Sequence, residues 1–224
     1  MSRIVDLSVT IQAGHFRWPT QQTLDKSFEE GAFVQATRIN VSCHAFTHMD
    51  APRHFDPKGY STDSLRLEQT IGPAAVVDVS SVGPNAPIQE KHVAEAGGHI
   101  QEGDIVLLRA GWDKHESIEK PEFWTRAPWV EEDAAEWLFS RGIKAIGYDF
   151  PQDYCIRNLV LGDRKPAPEE NITHEILLKR GVIMMEYLCN MTSIKGMRCD
   201  VFGLPIKVPN SDGAPARIIA VEED

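Results

Sequence analysis

Apolar and polar residues alternate from position 3 to position 11, with Ile4, Val5, Leu7, Val9 and Ile11 at the apolar positions. A two-residue period predicts a first strand there. Residues 13–31 lose the period and read as an irregular loop carrying Trp18-Pro19, and 33–42, rich in Val, Thr and Ile, reads as a second strand. Residues 52–72 read as loop plus a short amphipathic piece. Continuous apolar runs at 74–79, 104–109, 144–148 and 182–186 predict buried strands. Helical spacing appears at 91–97, at 131–141 (Ala134, Ala135, Trp137, Leu138, closed by Gly142) and at 173–180, stopped by Gly181. Residues 151–170 hold three prolines and read as a long connection, and 202–221 mixes Gly, Pro and short apolar runs. Strands with a few helices between them predict one α/β or α+β domain with a mixed sheet, spanning residues 1–224.

Composition narrows the function classes. With 42% hydrophobic and 25% charged residues, the 224-residue chain can bury a sizeable core. Its net charge of −10 argues against a nucleic-acid partner, which would need a basic surface. Four scattered cysteines (Cys43, Cys155, Cys189, Cys199) form no CxxC and point to a reducing compartment. No signal-peptide run opens the chain and no apolar stretch is long enough for a membrane span, so a cytoplasmic protein with no membrane partner is expected.

The chemistry concentrates in His44-Ala-Phe-Thr-His48-Met-Asp50-Ala-Pro52-Arg-His54. His44 and His48 are four apart, which suits one helix face or one strand face. The β-formers Thr37, Ile39 and Val41 before them favour a strand, on which His44, Phe46, His48 and Asp50 would point the same way. Imidazole nitrogen and carboxylate oxygen are the donors of catalytic zinc, and also suit manganese or iron. An ion with an open position brings the pKa of a bound water toward neutrality and supplies hydroxide. Further ligands must come from elsewhere. His174 and Glu186 are candidates; a carboxylate in a buried strand needs a metal or a partner such as a buried arginine. His54, beyond Pro52, is expected to act as general acid/base, with metal ligation or support of a ligand as the alternative. His15 lies near the Trp18 loop, while His92, His99 and His115 fall in polar stretches. Asp149 would hold a ligand histidine or cap a strand end.

The segment resembles the H-x-G-T-H-x-D-x-P-x-H motif of the cyclase family, which includes bacterial-type kynurenine formamidases and isatin hydrolases. The likeness extends to Asp6-Leu7-Ser8, Trp18-Pro19, Ile146-Gly147-Tyr148-Asp149, Thr173-His174, Glu186-Tyr187-Leu188 and Gly213-Ala214-Pro215-Ala216-Arg217. The resemblance implies a swivelling β/β/α fold and metal-dependent cleavage of an amide, formamide, lactam or lactone. It implies His44, His48, Asp50, His174 and Glu186 as metal ligands, with Asp50 bridging where two ions bind, and His54 as acid/base. One or two divalent ions per chain would follow, zinc first and manganese next. It also implies a dimer or tetramer and a small-molecule substrate, expected to be aromatic because Trp18 and Phe46 would supply an apolar pocket. A non-catalytic metal- or small-molecule-binding protein is the reading from a different class. One departure stands out: Phe46 replaces the motif's glycine. On the ligand face it would fill space meant for substrate or a second ion, or form a wall that stacks on substrate.

Overall fold

The apolar runs become the inner strands of a closed sheet. The computed structural model describes residues 2–162 and 164–223. In chain order its strands are β1 (Arg3–Asp6), β2 (Gln21–Lys26), β3 (Ala36–Asn40), β4 (His48–Asp50), β5 (Ile71–Asp78), β6 (Pro87–Ile88), β7 (Ile105–Arg109), β8 (Trp129–Val130), β9 (Ala145–Tyr148), β10 (Ile183–Glu186), β11 (Arg198–Pro205) and β12 (Gly213–Glu222). The helices are α1 (Glu90–Ala96), α2 (Pro121–Thr125), α3 (Glu132–Ser140), α4 (Ile156–Leu161) and α5 (Ile172–Ile176).

The main sheet runs β1-β12-β11-β5-β7-β9-β10-β4, and β4 returns to pair with β12. This closes a barrel. β5, β7, β9 and β10 are parallel neighbours, whereas β4, β11 and β12 pair antiparallel. β12 serves two neighbours on one side: its first residues pair with β4 and its last with β1. The architecture is mixed α/β, as expected.

Side chains alternate across the barrel wall. Ala74, Val76, Ile105, Leu107, Ala145, Ile183 and Met185 share one core with Met49, Val201 and Ile218, which fills the interior. Ala75, Val77, Val106, Leu108, Ile146 and Met184 face the other way and pack on Val93 of α1 and on Ala134, Ala135 and Leu138 of α3. Both faces are therefore buried, which is why these strands read as continuous apolar runs.

Four expectations need correction. β1 ends at Asp6 rather than near Ile11, because the Ser8 hydroxyl takes over the pairing with Ile218 and only an isolated bridge to Leu188 follows. The expected loop at 13–31 contains β2, which forms a ribbon with β3. All six β2 residues are exposed, so no face is selected for apolar residues and the period is lost. The connection at 151–170 contains α4, closed by Gly162 at φ +73°, and a 3₁₀ turn at Pro168–Glu170. The helix expected at 173–180 is α5 followed by a 3₁₀ turn at Leu178–Arg180, and Gly181 at φ +95° ends it.

Candidate metal centre

The local fold around the histidines corrects the simplest picture. Only His48–Asp50 is strand. Residues 43–47 form turns and bends, and Phe46 sits at φ +56°, in the left-handed region. Phe46 therefore leaves the ligand face. Its ring is fully buried, tilted against Trp18 at 4.7 Å, while its carbonyl lies 2.8 Å from His48 Nδ1. The bend lets His44 reach back over the strand it precedes.

Strand register does the rest. Met49 enters the barrel core, so His48 and Asp50 point outward from the wall. On β10, Glu186 lies opposite His48. On β12, Gly213 lies opposite Asp50, and a Cβ there would stand 2.6 Å from His44 Cε1 and 3.1 Å from Asp50 Oδ1. The missing side chain is the space His44 occupies. His174 arrives from α5, with its Nε2 3.4 Å from Glu186 Oε1 and 3.6 Å from Asp50 Oδ2. His44 Nδ1 and His48 Nε2 lie 2.8 and 3.3 Å from Asp50 Oδ1. The structure thus gathers His44, His48, Asp50, His174 and Glu186, with His54 beside them. Among the described residues Glu186 has no arginine partner. It faces the two imidazoles and accepts a hydrogen bond from the Gln152 amide.

Three carboxyl or amide neighbours went unnoticed in the sequence. Asp153 Oδ2 lies 2.6 Å from His174 Nδ1, and its carboxylate also accepts from the Thr173 amide and hydroxyl. Asp212 Oδ2 lies 3.0 Å from His44 Nε2 and 3.3 Å from His54 Nδ1. Gln152 holds Glu186. Their signals were faint: Gln152 and Asp153 follow the Tyr148-Asp149 strand end, and Asp212 directly precedes Gly213. Asp149 points elsewhere. It caps the strand ends, accepting from the Ala110 and Gly111 amides.

The cluster is electrostatically frustrated without a cation. Burial opposes charge on every member, yet the buried carboxylates force protons onto the imidazoles. Burial works to lower His44, but hydrogen bonds and charge from Asp50 and Asp212 push it up to about 9. His174 is likewise raised well above its ordinary value, against burial, by Asp153, Asp50 and Glu186. Burial would raise Asp50, but His48, His174 and His44 hold it well below the usual range. His54 goes the other way: burial lowers it and the charges of His44 and His174 add to that, outweighing the pull of Asp50 and Glu186. It is therefore neutral near pH 7. With Nδ1–H given to Asp212, its Nε2 keeps a lone pair.

A divalent ion fits this donor set. His48 Nε2 and Asp50 Oδ2 are buried and, among the described residues, have no hydrogen-bond partner. Orphaned buried polar atoms are rare, and two within one His/Asp cluster ask for a ligand. Donors about 2.1 Å from a tetrahedral ion sit roughly 3.4 Å apart, close to the spacings found here. His44, His48 and Asp50 form one group able to hold an ion, and Asp50, His54 and His174 form another. Each imidazole that would bind through one nitrogen has an acceptor at the other: Asp212 for His44, the Phe46 carbonyl for His48, Asp153 for His174. That outer support is typical of metal-ligating histidine.

The putative cyclase family model matches residues 5–152. The chain belongs to the cyclase family. It is 26% identical to the kynurenine formamidase of Salinibacter ruber, over 96% of each chain. A solved structure of a potential metal-dependent hydrolase with cyclase activity superposes with a TM-score of 0.74 at 26% identity, covering both chains fully. Isatin hydrolase A from Labrenzia aggregata, bound to benzyl benzoate, shares the fold (TM-score 0.80, 22% identity, 100% of this chain and 94% of that one).

Beside this cyclase-family centre lies an aromatic cluster. Trp18 is buried between Phe46, Trp124 (5.2 Å) and Tyr187 (5.5 Å). His15 stacks on Trp18 at 4.6 Å, is tied to the Ile118 carbonyl and accepts the Arg17 amide, which leaves its ring fully engaged. Tyr187 stands 5.6 Å from His48, so the cluster adjoins the candidate ligands. His92 and His99 are occupied in hydrogen bonds away from the centre.

Proposed function

We propose that this chain hydrolyses the amide bond of an aryl formamide or a related aromatic amide at this centre, as an arylformamidase. It is a metal-dependent hydrolase of non-peptide C–N bonds. The observation that carries the reading is the convergence of three imidazoles and two carboxylates around buried, unpartnered His48 Nε2 and Asp50 Oδ2. The similarity to kynurenine formamidases over nearly the whole chain supports the substrate class.

His44, His48 and Asp50 would hold one divalent ion, and His174 and Glu186, whose donor atoms lie beside Asp50, would complete the ligand set. Zinc suits the mixed nitrogen and oxygen donors first, and manganese second. When bound, the ion polarises the scissile carbonyl and activates water. Asp153, Asp212 and the Phe46 carbonyl keep the imidazoles turned to the site. His54, neutral and held by Asp212, takes a proton at Nε2 and passes it to the departing nitrogen. Trp18, Phe46 and Tyr187 form the wall that orients an aromatic ring and excludes water. The four cysteines are all free, consistent with a cytoplasmic protein. The exposed β2–β3 ribbon supports a homo-oligomer.

The test combines metal content per chain with turnover of N-formylkynurenine, isatin and a lactone panel. At least one equivalent of divalent metal and fastest turnover of the formamide are expected. His54→Ala should lose roughly 10²- to 10⁴-fold in kcat while keeping its metal. Full activity in metal-loaded His54→Ala would refute the acid/base role. Less than about half an equivalent of metal after loading would refute the centre itself. Fastest turnover of isatin or a lactone would move the substrate class.

A further inference from the structure

Among the described residues, Arg17 is a cation without a counter-charge. Its guanidinium lies 4.4 Å from the centre of the Trp124 ring and 6.0 Å from that of Trp18. Among the described residues no carboxylate lies at ion-pair distance, and its Nε is buried with no hydrogen-bond partner. The ring beneath it has the same defect: Trp124 is 1% exposed and its Nε1–H also lacks an acceptor among the described residues. Two buried N–H donors in one stacked pair lack acceptors. A chain with 33 acidic against 23 basic side chains had ample acceptors to offer. Leaving a buried donor unpaired costs about 1–3 kcal/mol, so a site that tolerates two is shaped for something from outside.

The pair is connected to the candidate metal centre. Trp124 packs on Tyr187 at 4.9 Å, and Tyr187 on His48 at 5.6 Å. Two aromatic rings therefore separate the guanidinium from the first imidazole. A ligand whose amide sits at the centre and whose aryl ring lies along this wall would present its far substituent to Arg17. Arginine matches a carboxylate with paired donors, and stacking on indole fixes the plane of its fork.

We propose that Arg17, with the Trp124 indole N–H, recognises a carboxylate on the substrate, so that the site selects anionic aromatic amides over neutral ones. The proposal rests on the amide-hydrolase reading of the same site. Arg17 is a specificity-determining residue and takes no part in the bond cleavage.

The test compares para-formamidobenzoate with neutral formanilide on metal-loaded protein. The wild type should favour the anion roughly 10- to 100-fold in kcat/KM, mainly through KM. In Arg17→Met that ratio should fall to near one, and Arg17→Lys should restore part of it. Metal content and melting temperature of each variant confirm that the centre and the fold are intact. A wild type without preference overturns the proposal, as does a preference that survives in Arg17→Met. If neither substrate is hydrolysed, the amide reading fails, and binding of para-aminobenzoate against aniline, followed by tryptophan fluorescence, decides the role of Arg17. A preference for the acid that Arg17→Met abolishes supports it; equal binding, or a preference Arg17→Met retains, sinks it.

Discussion

Single residues show where chemistry overrides local preference. Phe46 occupies a left-handed backbone position, where a non-glycine residue costs roughly 1–2 kcal/mol. Its buried ring offsets this, since removing a phenylalanine from a core costs about 3–5 kcal/mol. The packing therefore wins, and Phe46→Gly should be less stable than the wild type despite restoring the family's glycine. Phe46→Ala should be less stable still, because it loses the ring and keeps the strain. Urea denaturation gives the order directly, and an alanine variant more stable than the glycine variant would contradict the backbone argument. Gly213 is the opposite case, a residue defined by what it lacks. Gly213→Ala would drive a methyl into His44 and Asp50. Metal occupancy should drop by at least tenfold at limiting metal, with kcat/KM falling in parallel; full occupancy by elemental analysis would show that His44 can move aside. Four of the six candidate residues, His44, His48, Asp50 and His54, were legible because imidazoles and carboxylates at that density are rare in a sequence; Glu186 stood out as a carboxylate in an apolar run, and His174 through the family resemblance. The turn at Phe46 was not, because a side-chain period carries no information on the sign of φ.

At the level of elements, the buried strands were readable and the ribbon was not. β5, β7, β9 and β10 are apolar on both faces, so composition alone marked them. β2 is built of Gln, Thr, Asp and Lys with one leucine, and only its pairing with β3 makes it a strand. Likewise, Glu186 meets His48 through a strand register that no local pattern encodes. Element ends carry their own chemistry. Asp149 closes β9 and takes the Ala110 and Gly111 amides at the end of β7. Burial pushes its pKa up to about 7, against about 3.9 in an unfolded chain. The folded state then binds a proton between pH 4 and 7 that the unfolded state does not. This contribution is fully present below pH 4 and is lost as pH rises through 7, by an amount on the order of 2–4 kcal/mol. Asp149→Asn cannot ionise. Its stability deficit relative to the wild type should therefore be larger at pH 5 than at pH 7.5, as read from urea midpoints. A deficit that grows with pH would mean the two backbone amides hold Asp149 ionised instead.

For the whole molecule, the barrel and its candidate centre are self-contained, but the β2–β3 ribbon is not. A two-stranded ribbon is at best marginally stable alone in water. This one exposes Leu24 (48%), Phe28 (61%), Phe33 (91%) and Ile39 (55%). Covering a large apolar side chain is worth about 1.5–3 kcal/mol, so these four could supply most of the free energy of a modest interface. The ribbon leaves the chain between β1 and β4, and its base carries His15, Arg17 and Trp18. A second copy covering it would also clamp the segment that frames the aromatic wall. If the ribbon is the contact of the proposed homo-oligomer, the triple variant Leu24→Ser/Phe33→Ser/Ile39→Ser should be monomeric in light-scattering chromatography where the wild type is not. The candidate ligands lie on β4, β10, α5 and the turn before β4, outside the ribbon, so metal content should stay at the wild-type level. KM for an aromatic amide should rise several-fold, because the Trp18 segment loses its support. A wild type that is monomeric at micromolar concentration, or a triple variant that remains oligomeric, would show that the ribbon is not the interface. Unchanged KM in a monomeric variant would separate assembly from the site.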